Sequence, residues 1–396
     1  MQQRDRKSGS GLRIKVVCAV AAVVLVALAV PIFSLLGSSP EPSPDSLNDT
    51  TRLASDDLDD TDRAPEPPQP QTIQISLVGD VNLADGWGGD VAHQNNDTVA
   101  VAFSPEILEQ LQTADICYAN HEFTMSSRGE PLSKYYTFCA DPSRVGYWEQ
   151  LGVDVVGLAN NHAYDYGEDA FLDTLDLLSS NDIKYVGAGT DLSEAMAPVY
   201  FTVADYTVAL VAADRSQKGS EPRAQAAGQD TPGVLFCFED ELFLTAVAHA
   251  HQTADFVIAI PHWGTEESTV LEPEQIALGH KLIDAGADAV VGSHPHILQG
   301  VEYYQGKLIA YSLGNFWFNY LTTPTAILNI EITEEAGAEA GEKIRVPRFR
   351  IIGALQSEQQ VLGSEEISDE VLELMRQLSP EVTIDNEGYV SAGQAD

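Results

Sequence analysis

Six residues far apart in the chain share one kind of chemistry: Asp80, Glu122, Asn161, His262, His294 and His296. Carboxylate, amide oxygen and imidazole together suit a divalent ion such as manganese, iron or zinc better than calcium, which takes oxygen ligands alone. The sharpest signal is His294-Pro295-His296. On an extended segment, side chains two apart share a face, so both rings are expected to point the same way, with Pro295 stiffening the turn. Each histidine also has a plain alternative, a buried ring satisfied by a backbone carbonyl. His262 rises above it because it follows an apolar run and precedes Trp263-Gly264. Asn161-His162 places a ligand beside a proton donor, since an imidazole next to a metal-bound ester is placed for general-acid work. Glu266 either orients His262, binds substrate or is an ordinary surface glutamate, and Asn120-His121-Glu122 also reads as a simple loop. His93, His249, His251 and His280 lie in polar loops or on helices and carry no such signal.

Residues so scattered need elements that bring them together. From Thr72 onward, short apolar runs rich in β-branched residues alternate with helical stretches, which predicts an α/β fold with βαβ-type layering. The run 73–78 leads into Gly79-Asp80, 154–158 into Asn160-Asn161-His162, and 207–212 into Asp214. In the same way 256–260 leads into His262, 287–291 into His294 and His296, and 308–313 into Gly314-Asn315. Phe171, Leu172, Leu175 and Leu178 predict a helix over 168–180, capped by Asp165, and Ile276, Leu282 and Ile283 predict another over 273–285. Ligands of open α/β sheets collect outside the carboxyl ends of the strands, which is where these polar residues repeatedly fall.

Outside that body the chain changes character. Residues 16–36 contain no charged side chain and are long enough to cross a bilayer. Arg4, Arg6, Lys7, Arg13 and Lys15 precede them, which keeps that end cytoplasmic and sends the rest across the membrane. The competing reading is a cleaved signal peptide, but no small-x-small site follows the run. Residues 37–70 hold seven of the 20 prolines and an acidic run, the composition of an extended spacer. The expected order is a cytoplasmic tail (1–15), an anchor (16–36), an acidic Pro-rich linker (37–70), the globular body (71–355) and an acidic C-terminal extension (356–396). With 60 acidic against 21 basic residues, a net charge of −39, the surface repels phosphate backbones and excludes nucleic acid as a partner. Among the four cysteines, Cys117 and Cys139 are the expected disulfide pair if the body lies outside the cell.

Read as blocks, the polar segments resemble a known family. Gly79-Asp80, Asn120-His121-Glu122, Ala159-Asn160-Asn161-His162, His262-Trp263-Gly264-Thr265-Glu266, Gly292-Ser293-His294-Pro295-His296 and Ser312-Leu313-Gly314-Asn315-Phe316 occur in the order seen in the CapA family of poly-γ-glutamate capsule biosynthesis. That family in turn is similar to calcineurin-like metallophosphoesterases. The resemblance implies a metallophosphoesterase-like layered sandwich of β-sheets flanked by helices, here preceded by one transmembrane helix. It implies Asp80 as first ligand, Glu122 as bridging carboxylate, Asn161 as amide ligand, His262, His294 and His296 as imidazole ligands, and His162 as the acid. Asn82, Glu266 and Asn315 are the candidate substrate contacts. Two positions depart from the pattern: Asn82 stands where a histidine ligand is usual, and His121 where an apolar residue is common.

Three functions are expected on these grounds. The first is a membrane-tethered, metal-dependent hydrolase of a phosphoester or of the capsular polymer, working beside other capsule synthesis and export proteins. The second is a non-catalytic component of the export complex that holds anionic poly-γ-glutamate through a metal. The third is a general exported metallophosphatase.

Overall fold

The structure is a computed structural model that describes residues 72–216, 224–336 and 343–393. The expected anchor and linker lie outside these residues. Among the described helices none is long and apolar enough to cross a membrane.

Sixteen strands build two large sheets: β1 (Thr72–Val81), β2 (Ile116–His121), β3 (Val155–Gly157), β4 (Lys184–Val186), β5 (Val199–Val203), β6 (Tyr206–Asp214), β7 (Phe256–His262), β8 (Ala289–Val291), β9 (Val301–Tyr304), β10 (Lys307–Ala310), β11 (Asn315–Trp317), β12 (Thr323–Ala336), β13 (Lys343–Ser357), β14 (Gln360–Leu362), β15 (Val382–Ile384) and β16 (Tyr389–Ala392). The ten-stranded sheet runs β15-β16-β13-β12-β1-β2-β3-β4, with β11 also pairing β1 and β14 pairing β13. The six-stranded sheet runs β9-β10-β8-β7-β6-β5. Strands β1 to β4 run parallel to one another in the first sheet, as do β6, β7, β8 and β10 in the second, so each of these sets sends its carboxyl ends to one edge.

Alternation along these strands dictates the layers. In β6, Val208, Leu210 and Ala212 face the core between the sheets, while Ala209, Val211 and Ala213 face outward. In β7, Phe256, Ile258 and Ile260 face inward, and Val257 and Ala259 outward. Ile73, Ile75 and Leu77 of β1 meet them from the other sheet. Both faces of each sheet are apolar, so both outer faces need cover. Helices α1 (Pro105–Gln112), α2 (Gly146–Leu151) and α3 (Gly167–Ser180) cover the ten-stranded sheet, and α4 (Glu241–His251) and α5 (Pro273–Asp284) cover the other.

Three expectations are corrected. Strand β13 runs across the 355/356 boundary, and the C-terminal residues beyond it are no appendage: helix α6 (Glu365–Leu378) buries Val371, Leu372 and Met375 in the core between the sheets, while β15 and β16 extend the larger one. Cys117, Cys139 and Cys237 are free thiols; Cys117 is buried in the helix-covered face, and Cys139 Sγ donates to the Ser126 carbonyl. Asp165 does not cap α3, whose N-cap is Tyr166 with no side-chain bond; its carboxylate is buried elsewhere.

Candidate metal centre

The carboxyl edges of the two sheets converge on one cluster. From the ten-stranded sheet come Asp80 of β1, Asn120 of β2, Glu122 just past it, and Asn161 and His162 after β3. From the six-stranded sheet come His262 ending β7, and Ser293, His294 and His296 after β8. The end of β1 is shaped by glycine. A β-carbon at Gly79 would lie 2.0 Å from the Gly314 carbonyl oxygen, the same oxygen that accepts from Asp80 N at 2.9 Å. At Asp80 the ladder registers with β2 and β11 shift, which re-aims the side chain.

Asn120 Nδ2 donates to Asp80 Oδ1 at 2.8 Å and lies 3.3 Å from Glu122 Oε2, tying the two carboxylates together. Their other oxygens, Asp80 Oδ2 and Glu122 Oε1, are buried without a hydrogen-bond partner of good geometry. What surrounds them is imidazole. His296 Nδ1 is 3.2 Å from Asp80 Oδ2, and the Nε2 atoms of His262, His296 and His162 stand 3.7, 3.8 and 3.9 Å from Glu122 Oε1. The three gaps to Glu122 Oε1 are long for hydrogen bonds. They are of the size that separates two ligands sharing an ion about 2.1 Å from each.

Three overlapping donor sets arise: Glu122-His262-His294, Asp80-Glu122-His296 and Glu266-His294-His296, each with ligand atoms within 4.8 Å of one another. Glu122 belongs to two of them. His262 is held between Asn161 Oδ1, 2.9 Å from its Nε2, and Ser293 Oγ, 2.8 Å from its Nδ1.

Electrostatics agree with this arrangement. Burial and the adjacent Asp80 push the Glu122 carboxyl well above its usual range. Burial, then the neighbouring His294 and His296, push His262 well below, keeping it neutral as a ligand must be. Burial depresses His296 too, but Glu122 and Asp80 outweigh it and hold the ring at about 10. Two buried carboxylates stabilised by a nearby proton form a place where a divalent cation can replace that proton, so the donor set fits a metal.

Asp80, Glu122, Asn161, His262, His294 and His296 thus meet in one cluster, with His162 at its side. His162 Nδ1 lies 2.6 Å from Asp165 Oδ2. Of the weaker candidates, Asn315 Oδ1 is 2.9 Å from His296 Nδ1, and Glu266 joins His294 and His296. Asn82 makes a local bond, its Oδ1 accepting from Ala84 N at 2.9 Å. The extended His-x-His segment is corrected: His294 and His296 have φ of 97° and 60°, so both rings are aimed from a tight left-handed loop. Sequence reading passed over Asn120, Ser293, Asp165 and Lys134. Asn120, Ser293 and Asp165 had a signal, the first two inside blocks quoted for their neighbours and Asp165 read as a helix cap; Lys134 had none.

The class is therefore a two-sheet α/β sandwich with helices on both outer faces and a buried oxygen–nitrogen donor cluster at the converging strand ends. Residues 74–320, more than half of the chain, match the family model described as Bacterial capsule synthesis protein PGA_cap, and the chain belongs to that family. It is 39% identical over 179 residues to "PGA biosynthesis protein CapA" of Bacillus subtilis (strain 168), covering 45% of this chain and 46% of that one. It is 31% identical over 264 residues to "Capsule biosynthesis protein CapA" of Bacillus anthracis, covering 64% and 62%. A "Probable polyglutamine synthesis accessory protein" of Mycobacterium tuberculosis is 29% identical over 317 residues, 74% of this chain and 83% of that one. The match thus spans less than two thirds of either Bacillus protein's own length.

Proposed function

We propose that this protein is a membrane-anchored, extracytoplasmic component of poly-γ-glutamate capsule synthesis or export whose cluster is a divergent, phosphoesterase-like, metal-dependent hydrolase site. The observation that carries the reading is Glu122 Oε1, buried and ringed by three imidazole nitrogens at 3.7 to 3.9 Å. Asp80, Glu122, Asn161, His262, His294 and His296 would hold the metal. When bound, a divalent ion supplies Lewis acidity and a water of lowered pKa. In its protonated form the His162 ring keeps its Nδ1 proton on Asp165, which fixes it from behind, and turns its Nε2 proton toward the cluster, placed to pass to the leaving group. A chain of charge −39 gathers an anionic polymer only where cations bridge the two, which is a second use for the same metal.

The test is metal analysis of the purified full chain, then assay with a chromogenic phosphodiester and with poly-γ-glutamate. Bound manganese, iron or zinc with chelator-sensitive turnover is expected; a metal-free protein that takes up none of these ions would overturn the reading. One observation favours the non-catalytic alternative: Asn82, in place of a histidine ligand, is engaged with Ala84 N. Metal uptake without turnover of either substrate would select it. For location, protease added to intact cells should remove the body and leave a membrane stub, and protection of the body until lysis would reverse the topology.

A further inference from the structure

Behind His162 lies a group that the hydrolase reading does not use. Lys134 sits on the segment Leu132–Phe138, outside any helix or strand, in which Ser133, Tyr135 and Tyr136 are exposed to solvent. Its ammonium is not exposed: the side chain is 4% accessible and its ion-pair partner Asp165 is fully buried. Lys134 Nζ donates to Asp165 Oδ1 at 2.6 Å and to the Asn161 carbonyl at 2.8 Å, and it lies 3.5 Å from His162 Nδ1. A lysine rarely gives up its hydration for a loop contact unless pairing compensates the desolvation.

Asp165 is the hub of this contact. Its Oδ2 lies 2.6 Å from His162 Nδ1 and accepts from Phe138 N at 2.8 Å, and its backbone carbonyl accepts from Leu132 N at 2.8 Å. The loop is therefore strapped to one residue at its start, middle and end, and that residue also holds the His162 ring. Between the straps it presents Tyr135 and Tyr136, 82% and 53% exposed, while Phe138 packs on His162 with ring centroids 4.3 Å apart.

We propose that Lys134 is a positioning residue for His162: brought in by the loop Leu132–Phe138, its ammonium fixes the Asp165 carboxylate, and that carboxylate fixes the imidazole. The inference rests on the reading of His162 as the proton donor. Without Lys134, Asp165 keeps its bond from Phe138 N but loses the ammonium on its Oδ1, and the ring it orients gains freedom. Outer partners of this kind are worth about 10–100-fold in activity.

Two independent readouts on the full chain test this. In metal-free protein labelled with 15N-histidine, the Nδ1-bound proton of His162 should give a resonance that shifts or broadens away in Lys134→Met. In metal-loaded protein with a chromogenic phosphodiester, Lys134→Met should lower kcat by about 10–100-fold while KM and metal content stay within about twofold. Should Lys134→Met fail to fold, Lys134→Gln, which keeps an N–H donor without the charge, carries the same readouts. An unchanged His162 resonance overturns the inference, as does a loss of metal that parallels the loss of activity, because Lys134 would then serve Asn161 rather than His162. If even the wild type turns over no substrate, the hydrolase reading fails on its own, and the resonance still decides whether Lys134 positions the ring.

Discussion

The two sheets contribute different chemistry to one cluster. The ten-stranded sheet brings the oxygens: the carboxylates of Asp80 and Glu122 and the amides of Asn120 and Asn161. The six-stranded sheet brings nitrogen, the imidazoles of His262, His294 and His296. Burial and then the adjacent Asp80 raise Glu122, burial and then the neighbouring rings depress His262, and contacts at 2.9 Å (His262 to Asn161) and 3.2 Å (His296 to Asp80) join the two sets across the sheets. The difference teaches that the site belongs to neither half. It forms only when the apolar layer between the sheets closes, so metal affinity and folding are linked.

The contrast can be broken most severely from the nitrogen side. His294→Ala removes a member of two donor sets, Glu122-His262-His294 and Glu266-His294-His296, and metal content should fall to near zero with activity following it. His162→Ala, by contrast, should keep near-normal metal and lose about 10²–10⁴-fold in kcat, the usual contribution of a general acid. Elemental analysis beside steady-state kinetics reads both. If His162→Ala empties the site as fully as His294→Ala, the division between ligand and acid is wrong.

How much of this was legible in the sequence depends on the physics behind each signal. Apolar runs such as 73–78 and 256–260 announce strands because period-two burial on both faces demands β-branched residues, and the polar residues at their ends announce the edge. The bonding of Asp165 was not legible, because a local turn before a helix and a buried partner of a histidine call for the same residue type. Nor was the backbone at His294 and His296, since Pro295 is equally at home in an extended segment and in a left-handed loop. Lys134 was invisible: nothing in a polar loop distinguishes a buried ammonium from a solvated one. The C-terminal layer was missed because the acidic face of α6 masks Val371, Leu372 and Met375 at helical spacing.

On the oxygen side, Glu122→Gln separates affinity from stability. The folded carboxyl is held above its usual range, so it costs stability progressively as pH rises from its unfolded value near 4.5 toward the folded one. At pH 7 without metal, the amide should therefore stabilise the fold by about 1–3 kcal/mol, the penalty of a buried unsatisfied group. Metal affinity should drop at the same time. Denaturant melts in chelator and with added manganese would show opposite signs, and a destabilised metal-free variant would contradict the charge burial described above.

The smallest expected effect is at His121, one residue from the cluster but not of it. Its ring is fully buried on the helix-covered face, stacked on Phe123 with centroids 3.7 Å apart, and neither nitrogen has a hydrogen-bond partner of good geometry. Burial pushes it down to about 3, against a weaker opposing pull from the Phe123 backbone. A base with a depressed folded pKa stays neutral in the native state while the unfolded chain takes up a proton below about 6.5. Stability is then lost as pH falls from 6.5 toward 3, at up to about 1.4 kcal/mol per pH unit from this group. Replacing it with an apolar side chain of similar size removes both the unpartnered nitrogens and the titration. His121→Leu should thus gain about 1 kcal/mol at pH 8, and its advantage over wild type should widen steadily between pH 6.5 and 5. Metal content should be unchanged, since His121 belongs to none of the donor sets found among the described residues. Parallel stability curves for the two proteins across that pH range would show that the His121 ring finds a proton acceptor or a water in solution that its packing conceals.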